Sequence, residues 1–297
     1  MLLAASLAVF WHAASSESDD HRADPADTTS PARVTTPDVE KRLRALERRA
    51  DARIGLFAVD TGSGESVAYR ADERFALAST VKVPLAAVVL EQLSASGLDE
   101  RVFWEPGDLL EHAPVTRASI DSGMTVRELI HASLAQSDNT AANLLFETVG
   151  GPAAVDRRLA ELGDSVTSID RVEPGLNDWR PGEVRDTSTP AALARTFRRL
   201  ALGDVLEPAD RRVLNDDLSD SLTGAGLVRA GVPSGWPVGD KSGTASYGTR
   251  NDVAVVRPPG RAPWVVVVMT SHPDPDAEPD DGLVARATAV VTQALDG

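Results

Sequence analysis

Apolar positions recur along this chain in two rhythms, one helical and one alternating. From Pro37 the stretch PDVEKRLRALERRADA sets Val39, Leu43 and Leu46 at helical spacing behind a proline, which predicts an amphipathic helix. RIGLFAVD and SVAYR then flank the turn TGSGE and predict a hairpin. Near the other end, NDVAVVRP, the turn PGRA and PWVVVVMTS predict a second hairpin, and GLVARATAVVTQAL a closing helix. Between about Phe75 and Ser219 the clearest patterns are all helical: TVRELIHASLAQ, NTAANLLFETVG, PAAVDRRLAELG and TPAALARTFRRLALG. Strand signals at both termini around a helical middle predict an α+β fold, an α/β sandwich. Its antiparallel sheet, flanked by helices, is built from both chain ends (residues 34–74 and 219–297), with an all-helical domain (75–218) inserted. No internal repeat interrupts this plan.

Two stretches break the rhythm. FALASTVKVPLAAVVL, residues 75–90, reads as a buried helix, yet it opens with Ser79, Thr80 and Lys82. A lysine pressed against such a run either bends out to water or is held by polar partners, because an unpaired buried ammonium is costly. Pro84 sits early in the same helix and removes a backbone donor, which a tight first turn would absorb. The second stretch, DSVTSIDRVEPGLNDWRPGEVRDTSTP, has weak periodicity over more than twenty residues, and a long irregular loop in a compact domain is usually functional.

Composition narrows the chemistry. A net charge of -15 over 297 residues argues against nucleic acid or an anionic membrane as a partner. There is no cysteine, which excludes disulfides, thiol nucleophiles and cysteine-ligated zinc. His12, His21, His112, His131 and His272 show no ligand spacing, so neither a metal nor another cofactor is expected. Residues 1–16, MLLAASLAVFWHAASS, have the length and small terminal residues of a cleavable signal peptide without its basic start, and residues 17–33 read as a flexible leader. Export to the periplasm or the exterior is the expectation.

Lysine usage singles out three positions. Of 30 basic residues only Lys41, Lys82 and Lys241 are lysine. Where arginine serves almost everywhere, a persisting lysine is a candidate for a place that arginine cannot fill, because a lysine amine is compact and can lose its proton in a tuned site. Ser79 and Lys82 stand three apart on a helix and share a face, so the amine can reach the hydroxyl. Further on, Ser137-Asp138-Asn139 joins two helical patterns, and Lys241-Ser242-Gly243 opens a strand. Taken singly, SxxK arises roughly once by chance in a chain of this length, SDN is an ordinary helix cap and KSG an ordinary turn. In this order and together they are specific: the set resembles the S-x-x-K, S-D-N and K-T-G motifs of class A β-lactamases and penicillin-binding proteins.

The long loop separates those two groups. RVEPGLN, Arg171 to Asn177, resembles the ExxLN element of the class A β-lactamase omega loop (here about residues 168–187), and RDTSTP resembles its close. The likeness extends through SGMTVRELI, SDNTAANLL and GDKSGTASYGTRND, from about Val39 to the final helix. This resemblance implies Ser79 as the nucleophile that forms an acyl-enzyme. It implies an oxyanion hole from the backbone N–H groups of Ser79 and Thr244. Ser137, assisted by Lys241, would pass a proton to the leaving nitrogen, while Asn139 would hold Lys82 and the substrate's amide. Ser242, Gly243, Thr244 and Arg250 would receive the substrate, with Ser242 and Arg250 on its carboxylate. Glu173 and Asn177 would activate the deacylating water, and either Lys82 or Glu173 could be the base for acylation. Arg171 and Asp186 would clamp the loop, unless they form only an exposed ion pair. The resemblance further implies a cis peptide before Pro174, a monomer, and β-lactam antibiotics as the small-molecule partners.

Departures from the family pattern are Ser242 for threonine, Gly175 for an acidic residue, and His112 for an aromatic at the cleft rim. Ala78 and Ala245 stand where a carbapenem-hydrolysing group carries a disulfide. Two other activities share the same motifs: a D,D-peptidase, which lacks a group to activate water, and a non-enzymatic penicillin sensor, which would have lost part of the set.

Overall fold

The structure is a computed structural model, and it describes residues 36–296. The expected signal peptide and leader, residues 1–16 and 17–33, lie outside the described residues. Helix α1 (Pro37–Ala50) starts where Thr36 caps it, accepting from the Val39 amide, with proline at the first turn. Val39 and Leu43 are buried, and Leu46 is half-buried. Strands β1 (Arg53–Asp60) and β2 (Ser66–Tyr69) form the first hairpin. Glu47 fastens α1 to it, accepting from the Ile54 amide, the Tyr69 hydroxyl and the Arg70 guanidinium.

Near the C-terminus, β3 (Val238–Ala245), β4 (Thr249–Val256) and β5 (Trp264–Ser271) complete a five-stranded sheet of order β2-β1-β5-β4-β3, antiparallel throughout. The two chain ends meet at the pairing of β1 with β5, where Phe57 faces Val267. This is the α+β architecture expected from the strand signals at both ends.

Alternation along β5 explains why its apolar run is unbroken. Val265, Val267 and Met269 enter a core shared with the helical middle of the chain, while Trp264, Val266 and Val268 enter a second core under the terminal helices. Both faces of the strand are covered, so residues 264–269 are apolar without a break. Burying each such valine contributes about 1.5–3 kcal/mol.

The middle segment supplies α2 (Lys82–Gln92), α3 (Val126–Ala135), α4 (Asn139–Val149), α5 (Pro152–Glu161), α6 (Pro190–Ala201) and α7 (Pro208–Ser219). Short α8 (Val228–Gly231) and the closing α9 (Asp281–Asp296) pack on the second core. Helix α2 is buried from Lys82 to Leu90, which accounts for its apolar composition all round. A 3-10 turn, Ala78–Val81, precedes it, so Pro84 falls at the third position of the α-helix. The first four amides of a helix have no intrahelical partner, and proline there removes nothing. The tight first turn expected from the sequence is present.

Candidate active site

Ser79 is carried on the 3-10 turn, and Lys82 begins the helix that follows. The lysine is wholly buried, not extended to water. Its Nζ donates to the Ser137 carbonyl at 2.8 Å, the Ser137 hydroxyl at 3.2 Å and Asn139 Oδ1 at 2.6 Å. It also lies 3.2 Å from Glu173 Oε1, a carboxylate equally shut off from solvent. Burial pushes the Lys82 pKa down, and the Glu173 charge opposes that push.

Ser79 Oγ donates to the same Glu173 oxygen at 3.3 Å. The spacing of Ser79 and Lys82 suggested direct contact, but hydroxyl and amine instead converge on one carboxylate oxygen. The ammonium is drawn toward the acceptors of the 137–139 segment. That segment links α3 to α4, with Asp138 as the cap of α4, accepting from Ala141 N. It is therefore an ordinary helix cap as well as part of the site. Asp138 also accepts from the amides of Val115 and Thr116. This anchoring holds Ser137 at φ +57°, a left-handed backbone in which its hydroxyl sits between two lysines.

The second of these is Lys241, whose Nζ donates to Ser137 Oγ at 3.0 Å and to the Ser242 carbonyl at 2.8 Å. Lys241, Ser242 and Gly243 lie within β3, three residues past its start, not at the opening of a strand. Burial, with repulsion from Lys82 second, pushes the Lys241 amine down to about 7. Gly243 passes close over the serine turn: a Cβ there would meet Leu77 O at 3.1 Å and Ser79 N at 3.2 Å. A side chain there would crowd the backbone of the serine turn, so glycine suits this close approach of β3.

The loop behind Ser79 is closed on itself. Ser168 N donates to Thr187 O at 3.0 Å, and Asp186 Oδ1 accepts from the amides of Asp170 and Arg171 at 2.9 Å each. Arg171 Nε donates to Asp186 Oδ2 at 2.5 Å, and the Asp186 side chain is only 3% exposed. The carboxylate is thus interior and the arginine half-buried, so the pair is more than an exposed surface contact. Within the loop the Glu173–Pro174 peptide is cis. Asn177 Nδ2 donates to Glu173 Oε2 at 2.5 Å, and the Asn177 carbonyl accepts from Ser246 N and Oγ, tying the loop to the β3–β4 turn. Trp179 stacks edge-on against Tyr247 of that turn at 5.8 Å.

A cleft of about 460 Å³ opens onto Ser79, Ser137, Asn139 and Asn177 on one side and Ser242, Gly243, Thr244 and Arg250 on the other. His112 lies on its rim, as expected, with Nε2 3.0 Å from Gln136 O. Lys82, Glu173 and Lys241 form the buried layer behind it. Three partners were not singled out from the sequence. Asn143 clamps the Glu173 backbone in both directions, N–H to Oδ1 and Nδ2 to C=O, each at 2.9 Å. Its position four residues after Asn139, on the same face of α4, was a usable signal. Thr223 shares a 2.7 Å hydrogen bond with Ser242 Oγ, and Asp281 pairs with Arg250 at 2.6 Å. Neither lies in a motif. Among the described residues no cluster of histidine and acidic side chains could hold a metal ion.

Comparison with known proteins identifies the family and the fold. The profile of the family described as "Beta-lactamase enzyme family" matches residues 38–295. A β-lactamase of Amycolatopsis lactamdurans is 52% identical over 264 residues, covering 88% of this chain and 87% of the relative. Among solved structures, the β-lactamase of Streptomyces albus G superposes with a TM-score of 0.85 at 47% identity, over 86% of this chain and 98% of that one. The class A β-lactamase of Clostridium kluyveri gives 0.86 at 40% identity, over 88% and 99%. In sequence from end to end of the described residues, and in fold, the chain belongs to the β-lactamase enzyme family, within its class A branch.

Proposed function

We propose that this enzyme hydrolyses the β-lactam amide bond of penicillin- and cephalosporin-type antibiotics through an acyl-enzyme on Ser79, and so confers resistance to them. The observation that carries the reading is the position of Glu173. One of its oxygens accepts from Ser79 Oγ, and the other is held by Asn177. A carboxylate so placed can take the serine proton during acylation and later take a proton from the water that attacks the ester. The direct Ser79–Glu173 bond supports Glu173, over Lys82, as the acylation base. Asn177 Oδ1 is a buried acceptor without a partner, which suits a site that orders water.

In this reading Ser79 Oγ attacks the lactam carbonyl, and the developing oxyanion rests on the amides of Ser79 and Thr244. The ring C–N bond breaks, and Ser137 passes its proton to the departing nitrogen. Lys82, bonded to Ser137 and beside Glu173, returns a proton to Ser137 and takes the serine proton from Glu173, which is again a carboxylate, while Lys241 steadies the transient charge on Ser137. Ser242 and Arg250 hold the substrate's carboxylate. Water activated by Glu173 then releases the product and restores Ser79. The enzyme works alone as a monomer after export, with residues 1–16 removed and residues 168–187 serving as the omega loop.

A D,D-peptidase would lack the water-activating carboxylate, and a sensor would lack part of the set. Glu173 in hydrogen-bond contact with the nucleophile argues against both. Benzylpenicillin and nitrocefin are the test: steady turnover, lost in Ser79→Ala, is expected. Stoichiometric acylation without turnover would overturn the proposal in favour of a peptidase or sensor.

A further inference from the structure

Asp252 is a buried acid to which the mechanism above gives no role. It sits on β4, wholly excluded from water, and the strand register sets it opposite Ser242 on β3. Arg250 is two residues away and therefore on the same face of the sheet. Lys241 faces the other way. Its cross-strand partner Val253 belongs to the core under the helical segment, whereas Ala254, on Asp252's face, belongs to the core under α9. Asp252 thus lies behind the two side chains assigned to the substrate's carboxylate.

Its hydrogen bonding is incomplete. Oδ2 accepts from the Val228 amide at 3.0 Å, while Oδ1 is buried without a partner. The arginines of this corner are paired with other acids, Arg229 with Asp240 and Arg250 with Asp281. An ionised carboxylate in such a place would be a buried charge with an unsatisfied oxygen, far costlier than a neutral acid. Burial first, and the neighbouring Asp240 second, push the Asp252 pKa well up.

We propose that Asp252 is a positioning residue for the anion-binding corner of the cleft: it lies there as an uncharged acid and leaves the positive field of Arg250 and Lys241 to the substrate's carboxylate. This rests on the proposed β-lactam reading. The charged groups around Asp252 are Asp240 and Lys241 on β3, Arg250 on β4, Arg229 on α8 and Asp281 on α9. On β5 it faces Val268, and the arginines of α6, which packs on the opposite face, are exposed. Arg229 offsets Asp240, and Asp281 already offsets part of Arg250. If Asp252 lost its proton, Arg250 would be flanked by two carboxylates. A bound anion would then meet a repulsive corner, so binding weakens as pH rises, beyond the effect of Lys241 losing its own proton.

The experiment measures KM and kcat for benzylpenicillin from about pH 6 to about pH 9 in the wild type, Lys241→Arg, and Lys241→Arg combined with Asp252→Asn. Arginine does not titrate in this range, so the Lys241 contribution is absent from Lys241→Arg, and the part of the remaining rise in KM that the Asp252 change removes belongs to Asp252. Adding Asp252→Asn is expected to remove that rise, about tenfold at the alkaline end, with kcat much less affected. Asp252→Ser is the second variant if the asparagine form does not fold. In parallel, infrared spectra of protein with isotope-labelled aspartate carboxyls are expected to show a carboxylic-acid C=O band at neutral pH that is lost in the Asp252 variant. Equal pH dependence with and without the Asp252 change, or an acid band that is absent or unaltered by the change, overturns the inference. A wild type that turns over no penicillin would overturn the proposed function instead, and the infrared band would still decide the state of Asp252.

Discussion

Lys82 Nζ and Glu173 Oε1 lie 3.2 Å apart with both side chains fully excluded from solvent, and Ser79 Oγ reaches the same oxygen at 3.3 Å. A buried pair of this kind is held by its further hydrogen bonds, here from Lys82 to Ser137 and Asn139 and from Asn177 to Glu173. Removing one partner is expected to disturb charge and proton traffic at Ser79, the proposed nucleophile.

Glu173→Gln keeps the shape of the side chain and removes the proposed base. Penicillin is expected to accumulate on Ser79, seen as a stable mass increase of the intact protein, with turnover lowered on the order of 10²–10⁴-fold. Unchanged turnover would take Glu173 out of deacylation.

The three lysines should respond differently to arginine. Lys82 is wholly buried among four polar contacts, and the larger guanidinium neither fits there nor releases a proton. Lys82→Arg is expected to lose roughly 10²-fold or more of nitrocefin turnover. Lys241→Arg should retain part of the activity, because its role is mainly electrostatic. Lys41→Arg, on an exposed face of α1, should be silent. Circular dichroism of each purified variant separates lost chemistry from lost fold, and a folded, fully active Lys82→Arg would contradict the assignment.

Asp186→Asn keeps an acceptor for the amides of Asp170 and Arg171 but removes the ion pair. The loss should cost about 1–3 kcal/mol of stability and loosen the segment that carries Glu173. Rates on bulky cephalosporins relative to benzylpenicillin are expected to change by about tenfold or more. Parallel rates across both substrate classes would reduce the pair to a stability contact.

Lys241 also sets a pH dependence. Its folded pKa, about 7, lies below the ordinary lysine value of 10.5, so within that window the unfolded chain holds a proton that the folded chain has released. This group alone makes stability rise with pH across the window, while the positive field in the cleft falls. Thermal unfolding and KM for benzylpenicillin, followed above neutral pH, should therefore move in opposite senses: higher stability and weaker binding. In Lys241→Arg the rise in stability should shrink to what the buried Lys82 contributes.

The sequence by itself determined the local structure and the chemical inventory. Apolar strand runs on either side of turn signals placed the two hairpins, helical spacing placed α1 and the long helices, and the apolar run around Lys82 already posed the choice between an amine bent out to water and one held by polar partners. The motif residues Ser79, Lys82, Ser137, Asn139, Glu173, Lys241 and Ser242 could be named because each depends on side-chain type and short-range spacing. Only the tertiary structure decided what those residues touch. Ser79 and Glu173 are 94 positions apart, and their contact exists because the loop closes through Asp186 while β3 lies over the serine turn. The same packing drew Lys82 to Glu173, Ser137 and Asn139 instead of to Ser79, and buried the Asp186 end of the Arg171–Asp186 pair. Thr223, Asp281 and Asp252 carry no local signature at all. Their places follow from strand register and from the docking of α8 and α9, and both are set by burial over the whole sheet, which no short stretch of sequence encodes.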